Sequence, residues 1–153
     1  MQERPERTDA GVARGIGVDR LDHLVLTVRD LDATCAFYTR VLGMTEERFA
    51  GGRRALRFGA QKLNLHQYGH EFEPKAAFPM PGSADLCFIV TASLEDVLAH
   101  LAACGVTPEL GPVERTGALG PIRSLYLRDP DGNLLELSNY GYQDRSKRKP
   151  GTT

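Results

Sequence analysis

The feature that most limits how this chain can fold is an internal repeat. An alternating apolar strand pattern begins at His23, and a second one begins at Asp85, 62 residues later. The glycines that end the two predicted helices, Gly43 and Gly105, are also 62 residues apart. The same order of elements at a constant offset predicts a duplicated module. Each copy buries only one face of its small sheet, so the two copies must pack together.

The repeat continues beyond the helices at a larger offset. The residues of the pair Leu63 and Asn133, and those of the pair His66 and Glu136, are 70 positions apart. We attribute the eight additional residues to a longer loop in the second copy, at Glu114–Pro121. On this reading, His66 and Glu136 occupy equivalent positions in the last strands of the two copies.

Each copy has the pattern of one strand, one helix and three further strands. Period-two alternation of apolar residues predicts strands, and apolar residues three and four positions apart predict helices. In the first copy we predict a strand at 21–28, a helix at 30–42, and strands at 45–49, 54–58 and 62–67. In the second copy we predict a strand at 85–90, a helix opened by a capping box at 93–96, and strands at 109–113, 122–128 and 133–139. We therefore expect an α+β fold of two tandem βαβββ modules that form a cupped, mixed β-sheet.

Segments of different composition separate and flank the modules. Three prolines and little periodicity mark 70–83 as a linker between module one, 18–69, and module two, 84–140. The stretches 1–17 and 141–153 lack the periodicity of a helix or a strand. We interpret them as a flexible leader and a basic tail on either side of a single domain.

The composition excludes several classes of partner. A net charge of -1, from 19 Lys+Arg against 20 Asp+Glu, gives no basis for binding nucleic acid or an anionic membrane. No apolar run approaches the roughly 20 residues that cross a bilayer. The three cysteines, Cys35, Cys87 and Cys104, have no paired spacing, which predicts reduced thiols and a cytoplasmic location.

Four polar residues recur at the strand positions of the repeat. His23 and Asp85 begin the first strand of each copy, and His66 and Glu136 lie in the last strand. Alternation places all four side chains on the face opposite the helices, inside the predicted cup. A single such residue is usually a solvated polar side chain on an open sheet face. Because two imidazoles and two carboxylates recur together, the pattern predicts a site for a first-row divalent metal.

The same segments resemble the vicinal oxygen chelate superfamily, which contains glyoxalases, bleomycin resistance proteins and ring-cleaving dioxygenases. The resemblance extends from about Val18 to Tyr140 and is greatest for small glyoxalase-domain-containing proteins. It rests on the opening strand and helix and on the last hairpin, and also on three short segments. These stretches are Leu21–Val28, Phe37–Tyr38, Leu42–Gly43, Tyr126–Leu137, Asn64–His66, Phe72–Ala77 and Arg115–Ile122.

The resemblance implies a divalent ion, nickel, zinc, manganese or iron, bound at His23, His66, Asp85 and Glu136 in a homodimer. The sequence departs from bacterial glyoxalase I, which usually has a carboxylate where His66 stands and a histidine where Asp85 stands. The inventory of two nitrogens and two oxygens is nevertheless the same. Glu136 corresponds to the carboxylate that moves a proton in glyoxalase I-like enzymes, so we expect it to be catalytic.

Further residues are candidates for holding a small-molecule substrate. An anionic group on the substrate needs cationic or amide donors, and the loop at 114–121, with Gly117 and Gly120 as hinges, is long enough to close over it. The candidate substrate-binding residues are Arg57, Asn64, Arg115 and Arg123.

Three functions are consistent with this sequence. The first is a glyoxalase-like lyase or isomerase acting on a small substrate with two neighbouring oxygens. The second is an extradiol-type dioxygenase whose iron triad is His23, His66 and Glu136, although the chain is half the usual length for that class. The third is a non-enzymatic, drug-sequestering binding protein, a class that typically lacks metal ligands in its cup.

Overall fold

The computed structural model describes residues 15–141. Their elements, in chain order, are β1 (His23–Val28), α1 (Leu31–Arg40), β2 (Thr45–Phe49), β3 (Arg53–Phe58), β4 (Gln61–Gln67), β5 (Asp85–Ile89), α2 (Leu94–Ala103), β6 (Leu110–Gly117), β7 (Gly120–Arg128) and β8 (Leu134–Tyr140). A short 3-10 turn at Ala50–Gly52 joins β2 to β3. Except for 15–17 and Gly141, the predicted leader and tail lie outside the described residues.

The two modules have the same topology. The strand order is β1-β4-β3-β2 in the first sheet and β5-β8-β7-β6 in the second. In each sheet the first and last strands of the module are parallel, and the remaining neighbours are antiparallel. A parallel pair requires a long crossover, which the helix of each module supplies. The predicted α+β fold of two tandem βαβββ modules is confirmed, with one four-stranded mixed sheet in each module.

The helix ends follow the signals in the sequence. A side-chain oxygen of Asp30 accepts a backbone N–H of the first turn of α1 at 2.9 Å. Ser93 Oγ accepts the equivalent bond in α2 at 3.2 Å. Gly43 and Gly105 follow the two helices with φ of 69° and 71°, a conformation that favours glycine. Neither helix, nor any other helix in the described part of the chain, is long and apolar enough to span a membrane.

The strand register corrects the offset of 70 between the last strands. In module one Val25 lies opposite Asn64, and in module two Cys87 lies opposite Glu136. Val25 and Cys87 are separated by the 62 residues of the repeat, so the residue equivalent to Glu136 is Asn64, 72 positions earlier. The sequence pattern misled because a shift of two residues keeps every side chain on the same face of a strand. His66 is therefore not the counterpart of Glu136.

The predicted loop at 114–121 is a β-hairpin instead. Strands β6 and β7 pair as far as Gly117 opposite Gly120. A Cβ at Gly117 would collide with the hydroxyl of Tyr140, and that hydroxyl accepts the N–H of Leu119 at 3.0 Å. The two glycines thus permit a tight turn packed against Tyr140, and the expected role as hinges of a closing loop is wrong.

One hydrophobic core underlies both sheets on their helix-covered faces. The helices contribute Tyr38 from α1, and Leu94 and Leu101 from α2, all fully buried. Burying each such side chain contributes about 1.5–3 kcal/mol. The strand residues of this core include Leu26, Val28, Leu56, Leu63, Leu65, Leu125, Leu127, Leu135 and Leu137.

A buried carboxylate joins the modules. Asp129, in the β7–β8 turn and 6% exposed, accepts a 2.7 Å hydrogen bond from the Tyr38 hydroxyl of module one. It also accepts the backbone N–H groups of Asp131 and Asn133, both at 2.9 Å. Burial, and next the charge of Asp129, raise the pKa of the Tyr38 phenol above its usual range. Tyr38 is therefore a proton donor at this junction at any physiological pH.

Two further contacts between the modules lie on the helix side. His100 Nε2 in α2 bonds the carbonyl of Val41 at 2.9 Å, and the rings of Phe58 and Phe88 pack edge to face at 5.3 Å. A cavity of about 880 Å³ lies along this junction. None of the four predicted metal ligands lines it, so the candidate site must be sought on the opposite faces of the sheets.

Candidate metal and substrate site

Each sheet has one face under its helix and one face that its own module leaves open. On β1 and β5 the residues that alternate onto the open face are exposed except for the half-buried Thr27, and they include the apolar Val25 (42% exposed) and Ile89 (53% exposed). His23 and Asp85 begin the same alternation. The open faces therefore combine polar candidates with exposed apolar side chains.

The open face of module one holds His23 and Asn64 as diagonal neighbours. His23 lies two residues before Val25, which pairs with Asn64. This register places the two Cα atoms about 8 Å apart, from the strand spacing and the rise of two residues. His23 Nδ1 contacts the Asp22 carboxylate at 2.8 Å. Asn64 Oδ1 is buried and has no hydrogen-bond partner among the described residues.

His66 lies further along the same face. It pairs with Thr27, four residues beyond His23, so about 13 Å of strand separates the two imidazoles. Both side chains stand perpendicular to the sheet, and one chain cannot bring them to the same ion. The His66 ring instead packs against Phe72 of the segment after β4, with centroids 5.7 Å apart. Burial, followed by the charge of Arg53, lowers the pKa of His66, which favours the neutral imidazole.

The open face of module two holds Asp85 and Glu136 in the same diagonal relation. Asp85 lies two residues before Cys87, the partner of Glu136. Glu136 Oε2 accepts a 2.6 Å hydrogen bond from Ser124 Oγ. Ser138 Oγ lies 2.7 Å from Ser124 Oγ, and both serines are fully buried. The Glu136 carboxylate is thus fixed by buried hydroxyls, whereas Oδ1 of its counterpart Asn64 has no hydrogen-bond partner within residues 15–141.

The hydrogen-bond network of Glu136 extends across the sheet. Tyr126 lies opposite Glu136 in β7, and Arg115 Nε donates to its hydroxyl at 3.1 Å. Burial and the nearby Glu136 raise the pKa of Tyr126, although Arg115 opposes the shift. Cys87 Sγ contacts Ser138 Oγ at 3.4 Å, and burial raises the pKa of this thiol as well. Both groups therefore carry a proton at neutral pH.

The sequence and the fold match a known family. The model of the "Glyoxalase/Bleomycin resistance protein/Dioxygenase superfamily" matches residues 20–137. The chain belongs to this superfamily. It is 58% identical over 127 residues to the glyoxalase domain-containing protein RDO1 of Mycosarcoma maydis, covering 83% of this chain and 72% of that protein.

A bacterial relative has a solved structure. Virulence protein STM3117 of Salmonella typhimurium is 57% identical over 123 residues, which are 80% of this chain and 85% of that protein. Its crystal structure superimposes with a TM-score of 0.81 and covers 82% of this chain and 99% of the other. A lactoylglutathione lyase from Agrobacterium tumefaciens, at 22% identity, covers 83% of this chain and 100% of its own, with a TM-score of 0.63. At that identity it supports the fold alone.

Members of this superfamily commonly use divalent metals, so the four predicted ligands can be tested for fit. Within residues 15–141, no three His, Cys, Asp or Glu side chains lie close enough together to hold an ion. Each sheet instead provides one diagonal pair, His23 with Asn64 and Asp85 with Glu136. The residue types fit a metal, but one chain divides them between two open faces.

The predicted substrate-binding arginines lie in different environments. Arg57 is on the open face of module one, where it bonds the Glu47 carboxylate at 2.8 Å. Arg115 is on the open face of module two, beside Tyr126. Arg123 points to the opposite side and bonds Glu95 of α2. Alternation along β7 puts Arg123 on the face of the buried Leu125, so the structure does not bring it together with the other candidate substrate-binding residues.

The sequence reasoning overlooked the residues that support the site. Strand alternation was sufficient to place three of them on the open face. Ser138 is two residues after Glu136 in β8, and Tyr126 and Ser124 lie opposite Glu136 and Ser138 in β7. Arg53 has the parity of Arg57, but Phe72 lies in a segment without periodicity. No sequence signal places such a residue over a sheet.

Proposed function

We propose that this chain is the subunit of a metal-dependent, glyoxalase-like lyase or isomerase that acts on a small substrate with two neighbouring oxygens. The observation that carries the proposal is the buried oxygen of Asn64, which has no partner among the described residues. A buried acceptor without a partner costs about 1–3 kcal/mol, and a bound ion or substrate removes this cost. The oxygen stands where the repeat places Glu136 in module two.

The proposed ligands are His23 and Asn64 from one module and Asp85 and Glu136 from the other. This revises the predicted set, because His66 lies too far along β4 to join His23. One imidazole nitrogen and three oxygens form a hard ligand set, which among nickel, zinc, manganese and iron favours manganese or iron(II). A bound divalent ion supplies Lewis-acid stabilisation of negative charge on the substrate oxygens.

Completing the site requires a second copy of the chain. The contacts between the two modules of one chain lie on the helix side, away from the ligand pairs. The open faces also expose apolar residues such as Val25 and Ile89. We therefore propose a homodimer in which the open face of module one packs against the open face of module two of its partner. Such pairing covers the apolar surface and brings the two ligand pairs together.

Glu136 is the proposed catalytic base. Its Oε2 accepts the Ser124 hydroxyl, so the carboxylate keeps one orientation toward the open face. From there it takes a proton from the substrate carbon next to the paired oxygens and returns it to the neighbouring carbon. Tyr126, whose hydroxyl accepts a bond from Arg115, lies opposite this carboxylate on the neighbouring strand. These roles describe proton transfer within one substrate, without an oxidant.

The dioxygenase alternative is less well supported, because its proposed iron ligands are too far apart in one chain. It requires His23, His66 and Glu136 around one iron, and the register separates the two histidines by four residues. Observations on the open faces therefore favour proton-transfer chemistry over ring cleavage.

Metal content tests the proposal directly. Protein purified without chelator should carry about one divalent ion per chain, and this ion should be lost from the double variant Asp85→Ala, Glu136→Ala. A matched control is Glu109→Gln, a half-exposed carboxylate that lies just before β6 and is paired with Arg128. Conversion of the hemithioacetal of methylglyoxal and glutathione is the first activity to measure. Absence of metal from the unchanged protein, with no uptake of nickel, zinc, manganese or iron, would contradict the proposal.

A further inference from the structure

A second polar cluster lies on the open face of module one, beyond the proposed metal ligands. Arg53 is the first residue of β3, and the next residue, Arg54, pairs with Leu65 of β4. This places Arg53 across from His66. The Arg53 guanidinium stacks over the Phe72 ring at 4.5 Å, and Phe72 also touches the His66 ring. The three side chains are in contact through the Phe72 ring, and we call them the Arg53 cluster.

The Arg53 cluster contains a cation without a carboxylate. No Asp or Glu of residues 15–141 forms an ion pair with Arg53, whereas its neighbours Arg54 and Arg57 bond Asp32 and Glu47. Glu71, whose charge acts on His66, already accepts the Gly69 N–H at 2.9 Å and contacts Lys75 at 3.8 Å. The Arg53 guanidinium therefore retains donors for an external anion.

The residue of β3 between the Arg53 cluster and Asn64 is small and buried. Ala55 follows Arg53 on the same face of β3 and lies opposite Asn64. Its methyl group is the only side-chain bulk between the Arg53 cluster and the Asn64 oxygen on that strand. Two residues of strand separate the cluster from Asn64, a distance of about 7 Å. A small organic molecule can span this distance.

We propose that the Arg53 cluster binds the carboxylate of the substrate, so that the enzyme acts on small organic acids. The carboxylate bonds Arg53 and the His66 ring N–H, a planar part of the molecule packs against Phe72, and the paired oxygens lie near Asn64 and His23. The carboxylate and the paired oxygens are about 7 Å apart, the span of two strand residues. This inference rests on the proposed function, because it assigns the other end of the same substrate.

Binding of benzoate to metal-free protein tests the subsite without the chemistry. Since the Arg53 cluster belongs entirely to module one, it does not depend on the metal or on which chain completes the site. Benzoate should shift the NMR signals of Arg53, His66 and Phe72, and the neutral analogue benzamide should bind at least tenfold more weakly. Arg53→Met should weaken benzoate binding at least tenfold, and Arg53→Lys should recover part of the loss because it keeps the charge but not the planar fork.

The matched control is Arg48→Met, which removes an exposed arginine from the opposite face of the same sheet, where it contacts Glu46. It should leave benzoate binding unchanged. Equal binding of benzoate and benzamide, or no effect of Arg53→Met, would overturn the inference. Tighter binding of phenylphosphonate than of benzoate would overturn the assignment to carboxylates. Metal content separates the two proposals, because the Arg53→Met variant should keep its ion. A metal-free unchanged protein would contradict the proposed function. The benzoate result would then decide the carboxylate subsite by itself.

Discussion

The two modules share one topology, but the polar residues on their open faces differ in how they are hydrogen-bonded. In module two the polar residues are joined to one another, because Glu136, Ser124 and Ser138 form a buried hydrogen-bonded group. In module one Arg53 has no ion pair and the Asn64 oxygen has no partner among residues 15–141. The comparison teaches that a duplicated fold keeps its helix-covered core and diverges on its open face. Module two fixes the proposed base, Glu136, by hydrogen bonds, whereas module one keeps polar groups available for a ligand.

The largest expected effect comes from breaking the junction that both modules need. Asp129→Ala should lower the free energy of unfolding by about 3–5 kcal/mol, because it leaves the buried Tyr38 hydroxyl and backbone N–H groups unpaired. Urea denaturation measures the loss. Asp129→Asn, which keeps the shape and part of the bonding, should cost less. An equal cost for the two variants would show that the negative charge, and not packing, holds the junction.

The second prediction tests the difference between Asn64 and Glu136. Asn64→Asp gives module one the carboxylate that module two has at the equivalent position. An additional charged oxygen ligand should raise metal affinity at least tenfold, which isothermal titration with manganese measures. Asn64→Leu, which removes the oxygen, should reduce affinity instead. If both variants bind manganese as tightly as the unchanged protein, Asn64 is not a ligand.

An effect of similar size is expected from the hydroxyl that fixes Glu136. Ser124→Ala removes the 2.6 Å bond to Oε2 without touching the proposed ion. Loss of such a supporting bond typically lowers metal affinity or activity by about 10–100-fold. Ser83→Ala, whose hydroxyl bonds the Met80 carbonyl in the linker, is the matched control and should change neither quantity. A Ser124→Ala variant with full affinity and activity would remove the contrast between the two faces.

The smallest effect concerns the thiol of module two. Burial raises the pKa of Cys87, so this group keeps its proton in the native state at pH values where an unfolded thiol ionises. The raised pKa therefore favours the native state at pH values below the ordinary thiol pKa, about 8.5. This contribution to the free energy of unfolding is lost as the pH rises through the native pKa. Alkylation of Cys87 by iodoacetamide, followed by mass spectrometry, should accelerate only above that ordinary value. Fast alkylation at pH 7 would show a thiolate on the open face.

Much of the fold followed from periodicity alone. The alternation in β1 and β5, the caps at Asp30 and Ser93, and the glycines after both helices each act within one element, so a local pattern predicts them. The offset between the last strands failed for a physical reason. Strand pairing has a repeat of two residues, and shifts of two are indistinguishable by alternation until the partner strand is known.

The site was harder to predict than the fold because its geometry is not local. The position of Asn64 opposite Val25 follows only from the parallel register of β1 and β4. Arg123 lies on the other face of its sheet, because Glu95 of α2 is within bonding distance there. Phe72 reaches His66 from a segment without periodic structure. The expected homodimer stays a proposal, since no pattern within one chain indicates which surfaces two chains share.

The central claim is that each metal site takes one ligand pair from each of two chains, and subunit mixing tests it most directly. Chains carrying His23→Ala and chains carrying Glu136→Ala, marked with different affinity tags, are co-expressed, and the heterodimer is purified through both tags. Each variant alone should hold no ion. The heterodimer contains one intact site and one doubly altered site, so it should hold one ion per two chains. A heterodimer without metal, formed from an unchanged protein that binds metal, would contradict the shared site and place all ligands within one chain.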